Sequence, residues 1–206
     1  MNVEPYKPSR DEIRAAAGKT VPDVIVPRLC VLFCGINPGL YSGATGHHFA
    51  RPGNRFWPTL HGAGFIDRLL SPWEERELLA CGCGVTNLVA RATATANELT
   101  PADLDAGRRT LFTKVRRYDP ACVAVLGIGA YRMAFARPTA QLGRQPELCG
   151  SALLWVLPNP SGLNAHYQPT DLIALFRALR EAVREHAGYP CQVTATDRVV
   201  KRRSIL

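Results

Sequence analysis

Three uninterrupted apolar runs constrain this chain more than any other feature. "RLCVLFCGI" at 28–36, "ACVAVLGI" at 121–128 and "ALLWVL" at 152–157 are short, bulky and without polar alternation. A strand with one wet face alternates apolar and polar residues, whereas these must be covered on both faces, as the strands of a parallel sheet are. "GVTNLV" at 84–89 reads as a further strand. The segments between them have helical character. "TPADLDAGRRTLFTKVRRYDP" opens on the cap Thr100 and sets Leu104, Leu111, Phe112 and Val115 along one stripe; "PTDLIALFRALREAVREH" does the same with Leu172, Leu175, Phe176, Leu179 and Val183. "SPWEERELLACG" carries the cap Ser71, Pro72 at the first helical position and acids in its first turn, "RFWPTLHGAGF" follows the cap Asn54, and "GAYRMAFA" begins a helix. Strands alternating with helices predict an α/β fold: three α/β/α layers around a central, mainly parallel sheet of four to five strands.

In such sheets ligands sit beyond the carboxyl ends of the strands. Two loops leave those ends and are unlike ordinary connections: residues 35–54, crowded with Gly, Pro, Asn and Ser, and residues 158–168. Both should meet over one site. The expected organisation is an irregular arm at 1–27, interrupted by Pro5, Pro8, Pro22 and Pro27, a single domain at 28–188, and a basic tail at 189–206. A chain of 206 residues with 47% hydrophobic content suits one domain.

Several function classes lose support. No apolar run approaches the roughly 20 residues of a membrane span, and the polar N-terminus lacks the apolar core of a secretory signal, so a cytoplasmic protein is expected. Seven cysteines, odd in number and scattered, read as buried reduced thiols. "CGC" at 81–83 lacks a second pair to complete a metal or cluster site, so no metal is expected. "GIGAY" at 127–131 misses the dinucleotide spacing because residue 132 is Arg, and a Walker A sequence is absent, so neither a nucleotide nor any other cofactor is expected. A net charge of +8, from 25 Lys and Arg against 17 Asp and Glu, favours a polyanionic partner.

The chemistry rests on "GINPG" at 35–39, "FARPGNRFW" at 49–57 and "NPSGL" at 159–163. Gly35 and Gly39 allow a close approach of backbone to ligand, Pro38 stiffens the turn, and Asn37 offers a carbonyl that orients a water without deprotonating it. Asn37 could equally serve only to cap the turn. Phe49 is either a plug beneath the loop or a face on which a base stacks. Leu163, at the tip of a loop containing Gly162, is unfavourably exposed unless it inserts into something. His47 and His48 read as loop surface, and Arg51, Arg55, Arg91 and Lys114 as phosphate contacts or solvated cations.

Together these three motifs resemble the mismatch-specific uracil-DNA glycosylase and thymine-DNA glycosylase family of the uracil-DNA glycosylase superfamily, from about Arg28 to about Glu185. The resemblance implies that fold, with Asn37 positioning the attacking water and Phe49 stacking on the flipped base. It further implies base contacts from the backbone at Ile36 and Phe49, from Asn159 and from Ser42. Leu163 corresponds to the wedge, with Gly162 toward the opposite guanine and Ser161 on phosphate. An Arg that commonly follows the wedge is missing, leaving that contact to Asn164 or His166. Ala90 stands where the family often has an acid. The expected protein is a monomeric, monofunctional enzyme that binds double-stranded DNA with G·U or related mismatches and hydrolyses the N-glycosidic bond to leave an abasic site. Neither loop holds a Lys for a Schiff base. Two rivals stand beside it: a catalytically silent binder of damaged DNA, and an enzyme of small phosphorylated molecules.

Overall fold

The computed structural model describes residues 6–162 and 166–186. Five strands form one sheet: β1 Val31–Gly35, β2 Cys83–Asn87, β3 Cys122–Leu126, β4 Gly143–Cys149 and β5 Ala152–Leu157, in the order β2-β1-β3-β5-β4. All pairings are parallel except β4 with β5. Among the described residues six α-helices accompany them: α1 Arg10–Arg14, α2 Leu40–Thr45, α3 Phe56–Gly62, α4 Pro101–Tyr118, α5 Ile128–Ala134 and α6 Pro169–His186.

The three apolar runs are the three central strands, and side-chain alternation divides them between two cores. Val31 and Phe33 point to one side of the sheet and Leu32 and Cys34 to the other; Cys122, Ala124 and Leu126 oppose Val123 and Val125 in the same way. The first core is closed by α3 and α6, through Phe56, Leu60, Phe176 and Leu179. Phe33 sits at its centre, edge-on to Phe56 and Phe65 and stacked on Phe176. Burying that ring contributes about 1.5–3 kcal/mol. On the second side α4 and α5 supply Leu104, Leu111, Val115 and Tyr131.

Three local features depart from the sequence reading. The edge strand β4 was not expected: it holds Pro146, which lies where the register with β5 slips between Arg144 and Leu148. Proline is tolerated at an edge or irregularity because it has no N–H to give the ladder. Residues 72–81 wind as a 3₁₀ rather than an α-helix, though Ser71 stands at the expected cap, its N–H and hydroxyl donating to Glu74 at 2.8 and 2.9 Å. Within the N-terminal segment, α1 is closed by a capping box of Ser9 and Glu12, and Thr20 and Val24 form antiparallel bridges to Arg91 and Val85. Among the described residues no helix is long and apolar enough to cross a membrane.

Candidate active site

A cleft of about 250 Å³ opens at the carboxyl end of the sheet. Its floor is Gly35, the last residue of β1, beside Asn87, the last residue of β2; the two are in register. Ile36, Asn37 and Phe49 come from the first long loop and Asn159 and Ser161 from the second, so both loops border one site. They are tied together. Arg55 N–H donates to Pro160 O at 3.0 Å, and its guanidinium donates to Ser161 O at 2.7 Å and Tyr167 O at 2.6 Å. A Cβ at Gly162 would lie 2.5 Å from Gly53 O, so the loops touch backbone to backbone.

Asn37 is the best-determined polar group of the cleft. Its amide nitrogen donates to Arg91 O and Pro38 O, each at 3.1 Å, and to Thr93 Oγ1 at 2.6 Å. Thr93 in turn gives its hydroxyl proton to Thr95 O at 2.8 Å and so must accept from Asn37. Three acceptors around one end of the amide fix which end is nitrogen. The carbonyl Oδ1 therefore faces the cleft, and among the described residues nothing donates to it.

Phe49 has φ +53°, a left-handed conformation that costs a non-glycine residue on the order of 1 kcal/mol or more. That backbone stacks its ring on Phe56, with centroids 4.0 Å apart, and leaves the other face toward the cleft. Its N–H donates to no group among the described residues. The neighbouring backbone is anchored by Glu75, which is buried and accepts from His48 N at 2.8 Å and pairs with His47 Nδ1 at 2.9 Å.

Two residues of this cleft escaped the sequence reading. Asn87 is 8% exposed and turns its amide into the site; a polar residue closing a strand at the ligand-binding end of the sheet was the available signal. His48 is the second. Expected at the surface, it is 2% exposed, with Nε2 2.9 Å from Pro22 O and Nδ1 3.3 Å from Asn87 Nδ2. Burial pushes its pKa below the ordinary histidine value, outweighing the opposing influence of Glu75, the Pro22 carbonyl and Asp23; Lys114 adds to the lowering.

Other expected contacts are placed differently. Ser42 is buried on the cleft wall, and its hydroxyl accepts Ala50 N–H at 3.2 Å, so it braces the loop. Arg55 is committed to the two loop carbonyls. Arg91 pairs with Asp103 at 3.0 Å, also reaching Glu98 O. Lys114 pairs with Asp23 at 2.6 Å and donates to Thr86 Oγ1 at 2.7 Å. Arg51 is exposed on the cleft rim; its carbonyl accepts Asn54 N–H at 3.0 Å, and its guanidinium has no partner among the described residues. Lys114→Ala should accordingly lower stability by about 1–2 kcal/mol, by taking the counter-charge from the part-buried Asp23 carboxylate, to which Thr86 Oγ1 still donates at 2.7 Å, while the salt dependence of binding to a polyanion stays unchanged. A denaturant melt and a salt titration of binding check both.

Asn159 lines the cleft and, through Oδ1, accepts Ser161 N–H at 3.0 Å. It also borders an adjoining apolar cavity of about 320 Å³ shared with Ile36, Met133 and His166. Ala90 is exposed, between Val89, which donates to Ile36 O, and Arg91, which accepts from Asn37. Leu163 and Asn164 lie outside the described residues. No group of three or more His, Cys, Asp or Glu among the described residues could hold a metal ion.

The uracil DNA glycosylase superfamily model matches residues 22–183. The chain belongs to that superfamily. Among solved structures it is similar to a candidate uracil DNA glycosylase from Methanosarcina acetivorans determined by solution NMR, with a TM-score of 0.51 and 15% identity over 79% of this chain and 98% of that one. At that identity the likeness speaks for the fold, a mixed α/β sandwich with a mostly parallel sheet. Superfamily membership implies hydrolysis of the N-glycosidic bond in DNA.

Proposed function

We propose that the chain excises uracil and related damaged pyrimidines, above all opposite guanine, from duplex DNA. The observation that carries this reading is the pinned amide of Asn37. An enzyme that hydrolyses a glycosidic bond must hold a water behind the sugar while the base leaves on the other side. Asn37 Oδ1, held by three acceptors at the other end of its amide, is an acceptor of fixed direction at the cleft to which no described residue donates. It holds the water by hydrogen bonding and removes no proton: the water adds once the base has left and the sugar is cationic, and the resulting oxonium gives its proton to solvent. The flipped base stacks on Phe49 and meets the Asn87 amide, and backbone N–H groups such as that of Phe49 stabilise charge on the departing base. Leu163, by its resemblance to the family's wedge, fills the gap in the stack, and Gly162 meets the guanine left behind. Water is the nucleophile and an abasic site the product; without a loop Lys no strand cleavage follows.

Duplexes carrying uracil, thymine or ethenocytosine opposite guanine, incubated with the protein and then cleaved with alkali, test the reading. Strand breaks confined to the lesion after alkali support it; their absence with lesion-specific binding would favour the silent binder, which Ala90 in the family's acid position keeps in view. Ala90→Asp offers a second check. Residue 90 adjoins the segment that holds Asn37, so a carboxylate there stabilises positive charge growing on the sugar. Single-turnover excision of uracil opposite guanine should rise about tenfold once the acid ionises, with slightly weaker DNA binding. Rates from pH 4 to 8 measure it, and no gain at any pH would remove residue 90 from the site.

A further inference from the structure

We propose that His48 is a positioning residue that decides which pyrimidine edge Asn87 reads, by accepting one N–H of its amide and so locking the amide against a half-turn. The inference rests on the reading of the cleft as a flipped-base pocket. A backbone carbonyl can only accept, so the 2.9 Å contact of His48 Nε2 with Pro22 O requires Nε2 to carry the proton. The lone pair of the neutral ring is then on Nδ1. Asn87 lies 3.3 Å from it, and the only end of the amide that suits a lone pair is the NH₂ end. The orientation of Asn87 is thereby dictated by a carbonyl on the far side of the imidazole.

The consequence lies in what remains for a ligand. With one N–H given to His48, Asn87 presents its second N–H and its Oδ1, a donor beside an acceptor. Uracil offers the complement: O4 accepts and N3–H donates. Cytosine inverts the pair, since its exocyclic amine donates and N3 accepts. A half-turn of the amide would read cytosine equally well, and cytosine is the abundant undamaged base. Without a lock, the two orientations of an asparagine differ little in energy; with His48 neutral, the wrong one sets an oxygen lone pair against a nitrogen lone pair.

The lock has a protonation state. Around the ring stand Glu75 from the 3₁₀ segment, Asp23 from the N-terminal segment, Lys114 from α4, and the adjacent His47. Glu75 and Asp23 favour the charged ring, and burial with Lys114 opposes it; burial dominates, so the ring stays neutral to below the ordinary histidine pKa. On protonation Nδ1 becomes a donor, which suits the Oδ1 end of the amide, so Asn87 is no longer held in the uracil-reading sense. Preference for the uracil edge is therefore present above the lowered pKa and lost as pH falls through it.

The test separates the two ring nitrogens. Asn can place an oxygen where Nδ1 sits, and Gln can place a nitrogen where Nε2 sits. His48→Asn should keep most of the uracil preference and lose its pH dependence, whereas His48→Gln should cut the preference about tenfold or more. The probes are adenine-only single strands carrying one 2′-fluoro-deoxyuridine or one 2′-fluoro-deoxycytidine, which resist hydrolysis, so binding is read apart from catalysis and from base pairing. Uracil excision by the unaltered protein is measured alongside. Equal preference in the unaltered protein and His48→Gln overturns the lock. A uracil preference in binding without any excision overturns the excision reading and leaves the lock standing. Should His48→Gln fail to fold, the pH titration of the unaltered protein decides: a preference constant down to pH 4 overturns the proposal.

Discussion

Asn37→Ala is expected to bind a G·U duplex within about twofold of the unaltered protein and to release uracil about 100-fold more slowly or worse, roughly 2.7 kcal/mol of transition-state stabilisation. The expectation follows from what the side chain touches. Its nitrogen is used up inside the protein by Arg91 O, Pro38 O and Thr93 Oγ1, which leaves only Oδ1 for the reaction. A methyl group in its place removes the acceptor proposed to hold the attacking water while leaving Phe49, Asn87 and the cations untouched, so affinity survives. Structural loss has to be separated from catalytic loss. The substitution also takes a donor from Arg91 O and Thr93 Oγ1, whereas Pro38 O keeps the Thr93 N–H at 3.1 Å, so the cost to stability should be about 1–2 kcal/mol. Single-turnover rates, equilibrium binding and a thermal melt on the same preparations distinguish the cases. Equal losses in binding and rate, or an unfolded variant, would make Asn37 a turn cap and leave the cleft without its proposed water-holder.

How much of this was legible beforehand depended on whether a residue's role is local or set by distant partners. The buried strands, α4 and α6 announce themselves because burial on both faces, or a 3.6-residue stripe, is written into consecutive residues. Asn37 and Phe49 could be singled out by motif, yet the orientation of the Asn37 amide is set by Arg91 and Thr93, 54 and 56 residues away. Charge was the poorest guide. Arg55 and Lys114 look like phosphate contacts in a basic chain, but a cation's partner is chosen by the fold: Lys114 finds Asp23 and Thr86, and Arg55 finds two carbonyls of the other loop. His48 fails for the same reason in reverse. Its loop is polar on average, yet this one ring is driven inward where Pro22, from the N-terminal segment, and Asn87, from β2, supply partners for both nitrogens. The edge strand β4 is hidden by Pro146 and by the charges that suit an exposed edge.

Gly35→Ala should lower uracil excision about 30- to 100-fold while leaving the fold and the phosphate contribution to DNA binding in place. Residue 35 closes β1 in register with Asn87, and its backbone is ordinary, so alanine brings no conformational strain. What it brings is a methyl group on the floor of the cleft. That carbon would stand well inside contact distance of Asn87 Oδ1 and 3.4 Å from Phe49 Cζ, between the group proposed to read the base and the ring proposed to stack on it. Phe49 is backed by Phe56 and has little room to retreat, so the amide must yield. Moving Oδ1 out of contact by about 1 Å breaks the alignment with His48 and shifts the reading edge, and displacements of that size in a positioning group cost on the order of 100-fold. A double-mutant cycle supplies the decisive measurement. If the methyl acts through Asn87, then adding Gly35→Ala to Asn87→Ala should cost about threefold or less, since the obstructed atom is gone, and the coupling should exceed 1 kcal/mol. Additive losses would mean that the methyl blocks the base itself, or disturbs β1, and that Asn87 does not stand where the base is read.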